Sequence, residues 1–341
     1  MGAGWAGMWV IDMVRRRLIL VFGAGATAMW AAGLLAVPSA GASLTGVAVR
    51  PASVPAGAWG RATWVPGLGV LNKGGDASVG PVSCTSAGNC VAGGHYADRH
   101  RHSQGFVVSE KNGRWGRAMG VPGLVALNLG GQALVLSVSC GKADQCAAGG
   151  DYTDGDGHQQ GFVASEKNGR WGQAIEVPGL GAMNDGTDQP MASVSSVSCA
   201  SPGNCTVGGA YGGPYSWAFL ATERNGVWGQ AFNVPGLGAI VTGRWAYIIS
   251  LSCVSPGNCA AGGDYENAVP EPGAPFYQGF VVSKRNGRWD QAMNLPGLDA
   301  MNKDGYDGLG SVSCGSPGRC TADGDYTDRH GHVQGFVTRE S

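Results

Sequence analysis

The sequence predicts an all-β protein, a five-bladed β-propeller with four antiparallel strands and one disulfide per blade, its ring closed by the N-terminal strand. Three observations predict it. Ten cysteines fall in five equally spaced pairs, a longer unit recurs around them at intervals of 56, 59, 54 and 61 residues, and the N-terminus carries a spare strand where the C-terminus lacks one.

The pairs are Cys84/Cys90, Cys140/Cys146, Cys199/Cys205, Cys253/Cys259 and Cys314/Cys320, each with five residues between its members. An even cysteine count in an exported chain reads as a disulfide framework. Zinc is the rival reading, but structural zinc sites favour about two to four residues between paired cysteines and need four converging ligands.

The clearest copy of the unit runs Ser137-Val-Ser-Cys140, Cys146-Ala-Ala-Gly-Gly-Asp-Tyr152, Gln160-Gly-Phe162, Asn168-Gly-Arg-Trp171 and Val177-Pro-Gly-Leu180. Periods in this range belong to propellers and solenoids, whose units complete a core by stacking on their neighbours. The first strand ends at the first cysteine and the second runs from the next cysteine to the Tyr, so each cystine closes a hairpin. The third runs through Gln-Gly-Phe-Val, and an Asn-Gly turn joins it to a fourth beginning at Trp, as at Asn112-Gly113, Asn168-Gly169, Asn225-Gly226 and Asn286-Gly287. Asn-Gly supplies the two positive φ angles of a tight type I′ turn. The segment Ala58-Trp-Gly-Arg-Ala-Thr-Trp-Val65 matches a fourth strand, while the last unit stops after its third, Gln334-Gly-Phe-Val337. Pairing the spare strand into the last unit closes five four-stranded blades and removes the open edge.

The recurring Ser196-Val-Ser-Cys199 and Gly203-Asn-Cys205 segments, with the Ala-Gly-Gly and Asn-Gly-Trp elements, resemble secreted actinobacterial repeat proteins over roughly residues 57–338. The resemblance implies a propeller-like fold and export, and it implies no chemistry. In blade count the chain is also similar to five-bladed lectins and five-bladed glycosidases.

Export is also readable at the N-terminus. Arg15, Arg16 and Arg17 precede an apolar run over residues 18–37 and a small-residue site, Pro38-Ser-Ala-Gly-Ala42. Residues 1–42 are expected to be a signal peptide, 43–56 a linker and 57–341 the repeat domain, secreted or held at the cell surface; an uncleaved membrane anchor is the alternative. The formal net charge of -1 and the 14% of charged residues give no basic surface for nucleic acid.

The expected function is non-catalytic recognition of an extracellular glycan, cell-wall polymer or protein through the loop face, with no cofactor and no membrane partner after signal cleavage. Tyr96, Tyr152, Tyr211, Tyr265 and Tyr326 each fall six residues after the second cysteine of their pair. Gln104, Gln160, Gln278 and Gln334 begin four third strands, and Trp217 stands in the middle repeat. A ring with an amide beside it suits a sugar, whose apolar face packs on the ring while its hydroxyls bond the amide; the competing reading is that the set packs blade against blade. Gly243-Arg-Trp245-Ala-Tyr247 departs from the repeat and marks Trp245 for an asymmetric site. His100 and His102, with His330 and His332, are weak metal candidates. The alternative function, a glycosidase on the same scaffold, would use Asp185, Asp188 and Asp304 as acid and base.

Overall fold

The structure, a computed structural model, describes residues 59–340 except 188, 214, 267–276 and 303–305. The expected signal peptide and linker therefore lie outside the described residues. Two units separate, Met1–Arg61 and Ala62–Ser341, and all five sheets belong to the second.

The first sheet holds β1 (Ala77–Ser86), β2 (Asn89–Ala97), β3 (Ser103–Lys111), β4 (Arg114–Trp115) and β5 (Met119–Gly120). The second repeats it with β6 (Ala133–Lys142), β7 (Gln145–Thr153), β8 (Gln159–Lys167), β9 (Arg170–Trp171) and β10 (Ile175–Glu176). The third is β11 (Ser193–Ser201), β12 (Asn204–Tyr211), β13 (Trp217–Arg224), β14 (Val227–Trp228) and β15 (Phe232–Asn233). The fourth is β16 (Ala246–Ser255), β17 (Asn258–Glu266), β18 (Tyr277–Arg285), β19 (Arg288–Trp289) and β20 (Met293–Asn294), and the fifth has three strands, β21 (Asp307–Ser316), β22 (Arg319–Thr327) and β23 (Val333–Arg339). Pairing is antiparallel throughout, and the expected fourth strand is broken into two short pieces that both pair with the third strand of their sheet.

All five expected cystines are present. Cys84 is bonded to Cys90, Cys140 to Cys146, Cys199 to Cys205, Cys253 to Cys259 and Cys314 to Cys320. Each joins directly opposed residues of the first hairpin, with Cα atoms 3.9–4.0 Å apart. Cys146, Cys199, Cys205, Cys259 and Cys320 are buried, and all of these but Cys259 belong to the hydrophobic clusters between sheets. These cysteines are therefore structural staples of the first hairpins.

The Asn-Gly turns have two positive φ angles, for example 49° at Asn112 and 77° at Gly113. A one-turn helix follows each Pro-Gly: α1 (Leu68–Leu71), α2 (Leu124–Leu127), α3 (Leu180–Asn184), α4 (Leu237–Ile240) and α5 (Leu298–Met301). The glycine before each has φ between 75° and 87°, a left-handed conformation that favours this residue.

The cores lie between successive sheets. In the second, Val135 and Val138 pack with Val91 and Val107 of the first, and Val194 and Val197 repeat the arrangement one sheet on. The Ser-Val-Ser-Cys motif supplies the polar half of each seam. The hydroxyls of Ser83, Ser139, Ser198 and Ser252 accept from the backbone N–H of Cys140, Cys199, Cys253 and Cys314 in the next sheet, at 2.9–3.1 Å. Bonds made in a buried seam satisfy groups that would be costly to leave unpaired.

The Gly-Gly pair of the second strand has two separate causes. A Cβ on the second glycine, Gly94, Gly150, Gly209, Gly263 or Gly324, would fall on a carbonyl oxygen of the first strand in its own sheet. A Cβ on the first would strike the following sheet: at Gly93 it meets Val135 Cγ1 at 2.6 Å, and at Gly149 it meets Val194 Cγ1 at 2.5 Å. The within-sheet constraint operates five times and the second glycine is present five times. The between-sheet constraint operates at four seams, and in the fifth sheet the first glycine is replaced by Asp323.

The expected ring closure by the N-terminal strand is corrected on this point. Residues 62–65 form no strand, Trp64 is 94% exposed, and the fifth sheet ends at β23 with no fourth strand among the described residues. Val79 and Val82 of the first sheet are 44% and 63% exposed, whereas their counterparts in the other four sheets are at most 8% exposed. Asp323 stands where a fifth seam of the same kind would need glycine, and its carboxylate would be buried against those valines at high cost.

Candidate functional site

The repeated tyrosines and glutamines point into the seams. Tyr96, Tyr152, Tyr211 and Tyr265 are 1–8% exposed, and Gln104, Gln160 and Gln278 are equally buried. Tyr152 Oη donates to Glu176 at 3.3 Å, Tyr211 Oη to Asn233 at 2.7 Å, and Tyr265 Oη sits between the side-chain oxygens of Asn294, at 2.8 Å, and Gln278, sharing its one proton between them. Burial pushes the Tyr265 hydroxyl up to about 12. The Gln160 amide donates to Asp154 at 3.2 Å and accepts from Asn184 at 2.9 Å, tying two connections together inside the sheet stack. This geometry fits packing of sheet against sheet rather than contact with a sugar. In the fifth sheet, which has no successor among the described residues, Gln334 reaches the surface and Tyr326 is half-buried.

The histidine loops share one design. Asp98 Oδ1 accepts from the backbone N–H of His100 and His102, Asp154 Oδ1 from Asp156 and His158, and Asp328 Oδ1 from His330 and His332, at 2.7–3.0 Å. Partial burial pushes Asp98 and Asp154 up, and the converging donors outweigh it, so both lie below the ordinary carboxylate range. At Asp328 the His332 N–H is the chief cause and the carboxyl is held at about 2. The imidazoles of His100 and His102 sit 5.9 Å apart, those of His330 and His332 6.0 Å apart. Among the described residues no group of three or more His, Cys, Asp or Glu is arranged to hold a metal ion.

Of the carboxylates considered for hydrolysis, Asp185 is an exposed residue capping α3, and Asp188 and Asp304 lie outside the described residues. Asp307 is buried: its Oδ1 accepts from the Gly279 N–H and its Oδ2 from Asn302, both at 2.7 Å, and desolvation raises its pKa.

An aromatic platform assembles at the loop ends of the third to fifth sheets. Trp245 stacks on Tyr277 with centroids 4.9 Å apart and meets Tyr247 at 5.2 Å, and Tyr277 meets Tyr306 edge-on at 5.7 Å. All four rings are half-buried. Parallel bridges Ser216↔Trp245 and Tyr277↔Tyr306 fix the backbones across two seams and bring in Trp217, 38% exposed, as the residue after Ser216. Tyr247 Oη also donates to Asp264 at 3.4 Å, and Asp264 accepts from the Leu309 N–H at 2.7 Å, so the platform rests on a buried carboxylate. Trp217 and Trp245 were readable as candidates in the sequence. Tyr277 and Tyr306 were not, although each interrupts the repeat and neither has an aromatic counterpart in the first three units.

No protein-family model matches the chain, and comparison with curated proteins finds no relative. Among solved structures it is similar to the Hadza microbial sialidase Hz136, with 10% identity and a TM-score of 0.45 over 78% of this chain and 53% of that one. A protein of unknown function from Dyadobacter fermentans has 11% identity and a TM-score of 0.45, covering 76% and 75% of the two chains. A thermostable family-43 glycoside hydrolase has 12% identity and a TM-score of 0.33, covering 79% and 91%. The chain thus spans about half the length of the sialidase.

Proposed function

We propose that this chain is an exported, non-catalytic binding module that holds a glycan on the platform of Trp245, Tyr247, Tyr277 and Tyr306. The observation that carries the reading is the stack itself: four half-buried rings from the fourth and fifth sheets, clustered where the repeats diverge. Flat rings held in place by backbone bridges offer a sugar's apolar face a surface that needs no reordering, which lowers the entropic cost of binding. Five cystines with no free thiol support a place outside the reducing cytoplasm, secreted or at the cell surface. The site is single and asymmetric, in contrast to a fivefold array of Tyr and Gln.

The test is a screen of the oxidised chain against glycans and cell-wall polysaccharides. Binding should fall about tenfold or more in Trp245→Ala and in Tyr277→Ala. It should persist in Tyr265→Phe, whose ring is internal, and in Asp185→Asn combined with Asp304→Asn. Undiminished binding in Trp245→Ala, or loss of binding together with turnover in the aspartate variant, overturns the proposal.

A further inference from the structure

Three outer seams between sheets can be compared at one position, the third-strand residue opposite the second cysteine: Glu110, Glu166, Glu223 and Lys284 in the first four sheets. Between the first and second sheets, Ser109 Oγ donates to Glu166 Oε1 at 3.3 Å; between the second and third, Ser165 Oγ donates to Glu223 Oε1 at 2.7 Å. Between the third and fourth, the facing residues are Thr222 and Lys284. There the seam opens into a cleft of about 500 Å³ whose walls include both side chains, Arg224, Trp228 and Trp289.

The side chains lining this cleft offer donors in excess. Lys284 is 2% exposed, and its Nζ makes no hydrogen bond among the described residues; it lies 5.8 Å from the centroid of the Trp289 ring. The Trp289 indole N–H is also buried and unpartnered among them. No acidic residue among the described residues lines the cleft. Burial, with the Arg224 charge beside it, holds the lysine below its ordinary pKa. An ammonium taken out of water without a counter-charge is unfavourable, and a bound anion would relieve it.

We infer that the cleft between the third and fourth sheets binds an acidic sugar, its carboxylate taken by Lys284 and Arg224 and its ring lying against the tryptophan wall. Charge selects the carboxylate, and the two indoles select a ligand with an apolar face. The volume falls within the range of small-ligand pockets. Lys284 lies seven residues along β18 from Tyr277, roughly 23 Å at strand rise, so this site is separate from the platform and does not depend on it.

Titration of the oxidised chain with sodium D-glucuronate, D-glucose and sodium acetate, followed by calorimetry or ligand-detected NMR, tests the inference. Glucuronate should bind saturably, with glucose and acetate each about tenfold weaker or more. Lys284→Glu restores the residue of the other repeats and should keep the unfolding midpoint while abolishing glucuronate binding. If that variant does not fold, Lys284→Met keeps the apolar stem, removes the charge, and should give the same loss. Trp245→Ala should leave glucuronate binding unchanged. The inference is overturned if glucuronate does not bind the wild-type chain, if glucose or acetate binds equally well, or if the folded charge variant retains binding.

Discussion

Replacing Gly149 by Ala should destabilise the protein, whereas Asp323→Ala, at the equivalent position of the last sheet, should not. The Cβ added at 149 would sit 2.5 Å from Val194 Cγ1 and 3.0 Å from Val197 Cγ2. Val194 is fully buried and Val197 is 6% exposed, so neither has free volume to move into. Overpacking of a filled core costs about 1–3 kcal/mol. Stiffening of the unfolded chain offsets about 0.4–1 kcal/mol of this, leaving a net loss of up to about 2.5 kcal/mol, centred on about 1.3. At position 323 no sheet follows among the described residues, and the alanine forfeits the exposed Ser311–Asp323 hydrogen bond of 2.6 Å, an effect within about 0.5 kcal/mol. Urea denaturation of the oxidised chain reads both as shifts in midpoint at constant slope. A double variant, Gly149→Ala with Val194→Ala, supplies the control: making room should recover about 1 kcal/mol relative to the sum of the single changes. Equal losses at 149 and 323, or strict additivity in the double variant, would refute the seam account of these glycines.

Three further outcomes follow from the described geometry. Burial pushes Asp151 up to about 7 against hydrogen bonds from Ser193 and Gln159. The folded chain thus holds this proton more tightly than the unfolded one, so stability should fall as pH rises from about 4 to about 7 and level off above. Asp151→Asn should remove that fall, and an unchanged difference between variant and wild type across pH 4–7 would contradict it. Removing one cystine, by Cys199→Ser with Cys205→Ser, should cost about 2 kcal/mol through the closed-loop entropy of the unfolded chain, read as a lower urea midpoint. Tyr265→Phe should cost about 1–2 kcal/mol by removing the hydroxyl whose proton lies between Gln278 and Asn294 inside the seam, and thermal unfolding would expose a wrong assignment by showing no change.

The repeating part of this fold was legible because its constraints are local and occur several times over. Cysteine spacing places the hairpins, Asn-Gly places the outer turns, and Pro-Gly-Leu places the one-turn helices, each through the chemistry of a few adjacent residues. Closure is not legible in the same way, because it is not a local property. The spare strand at residues 58–65 matched its template in residue type, yet pairing is decided by the partner surface. The relevant signal was present in one letter, Ala322-Asp323-Gly324 where four other units read Gly-Gly. The tyrosines and glutamines could not be assigned from sequence, because a residue repeated in every unit is equally suited to packing neighbours and to lining a multiple site. Only their burial separates the two readings.

On the proposed function, the departures from the repeat carry the chemistry. A stack of like units needs the same residues at every seam, so a change at a seam position either relaxes a constraint or introduces a function. Asp323 belongs to the first kind, because it is exposed and no further sheet packs on it among the described residues. On the proposed reading Lys284 belongs to the second, since its seam still exists and the exchange of Glu for Lys replaces a hydrogen-bonded acceptor by a buried donor that makes no hydrogen bond among the described residues. Trp245 and Tyr277 are also of the second kind, placed where both backbones remain bridged to their neighbours and the rings need not hold the seam together. Both sites draw on the fourth sheet, near opposite ends of β18, so one rigid element positions an aromatic surface and a cationic cleft at a fixed separation. A polymer with neutral and acidic sugars in the same chain is the kind of ligand such a pair of sites would hold more tightly than either alone, provided it spans the roughly 23 Å between them.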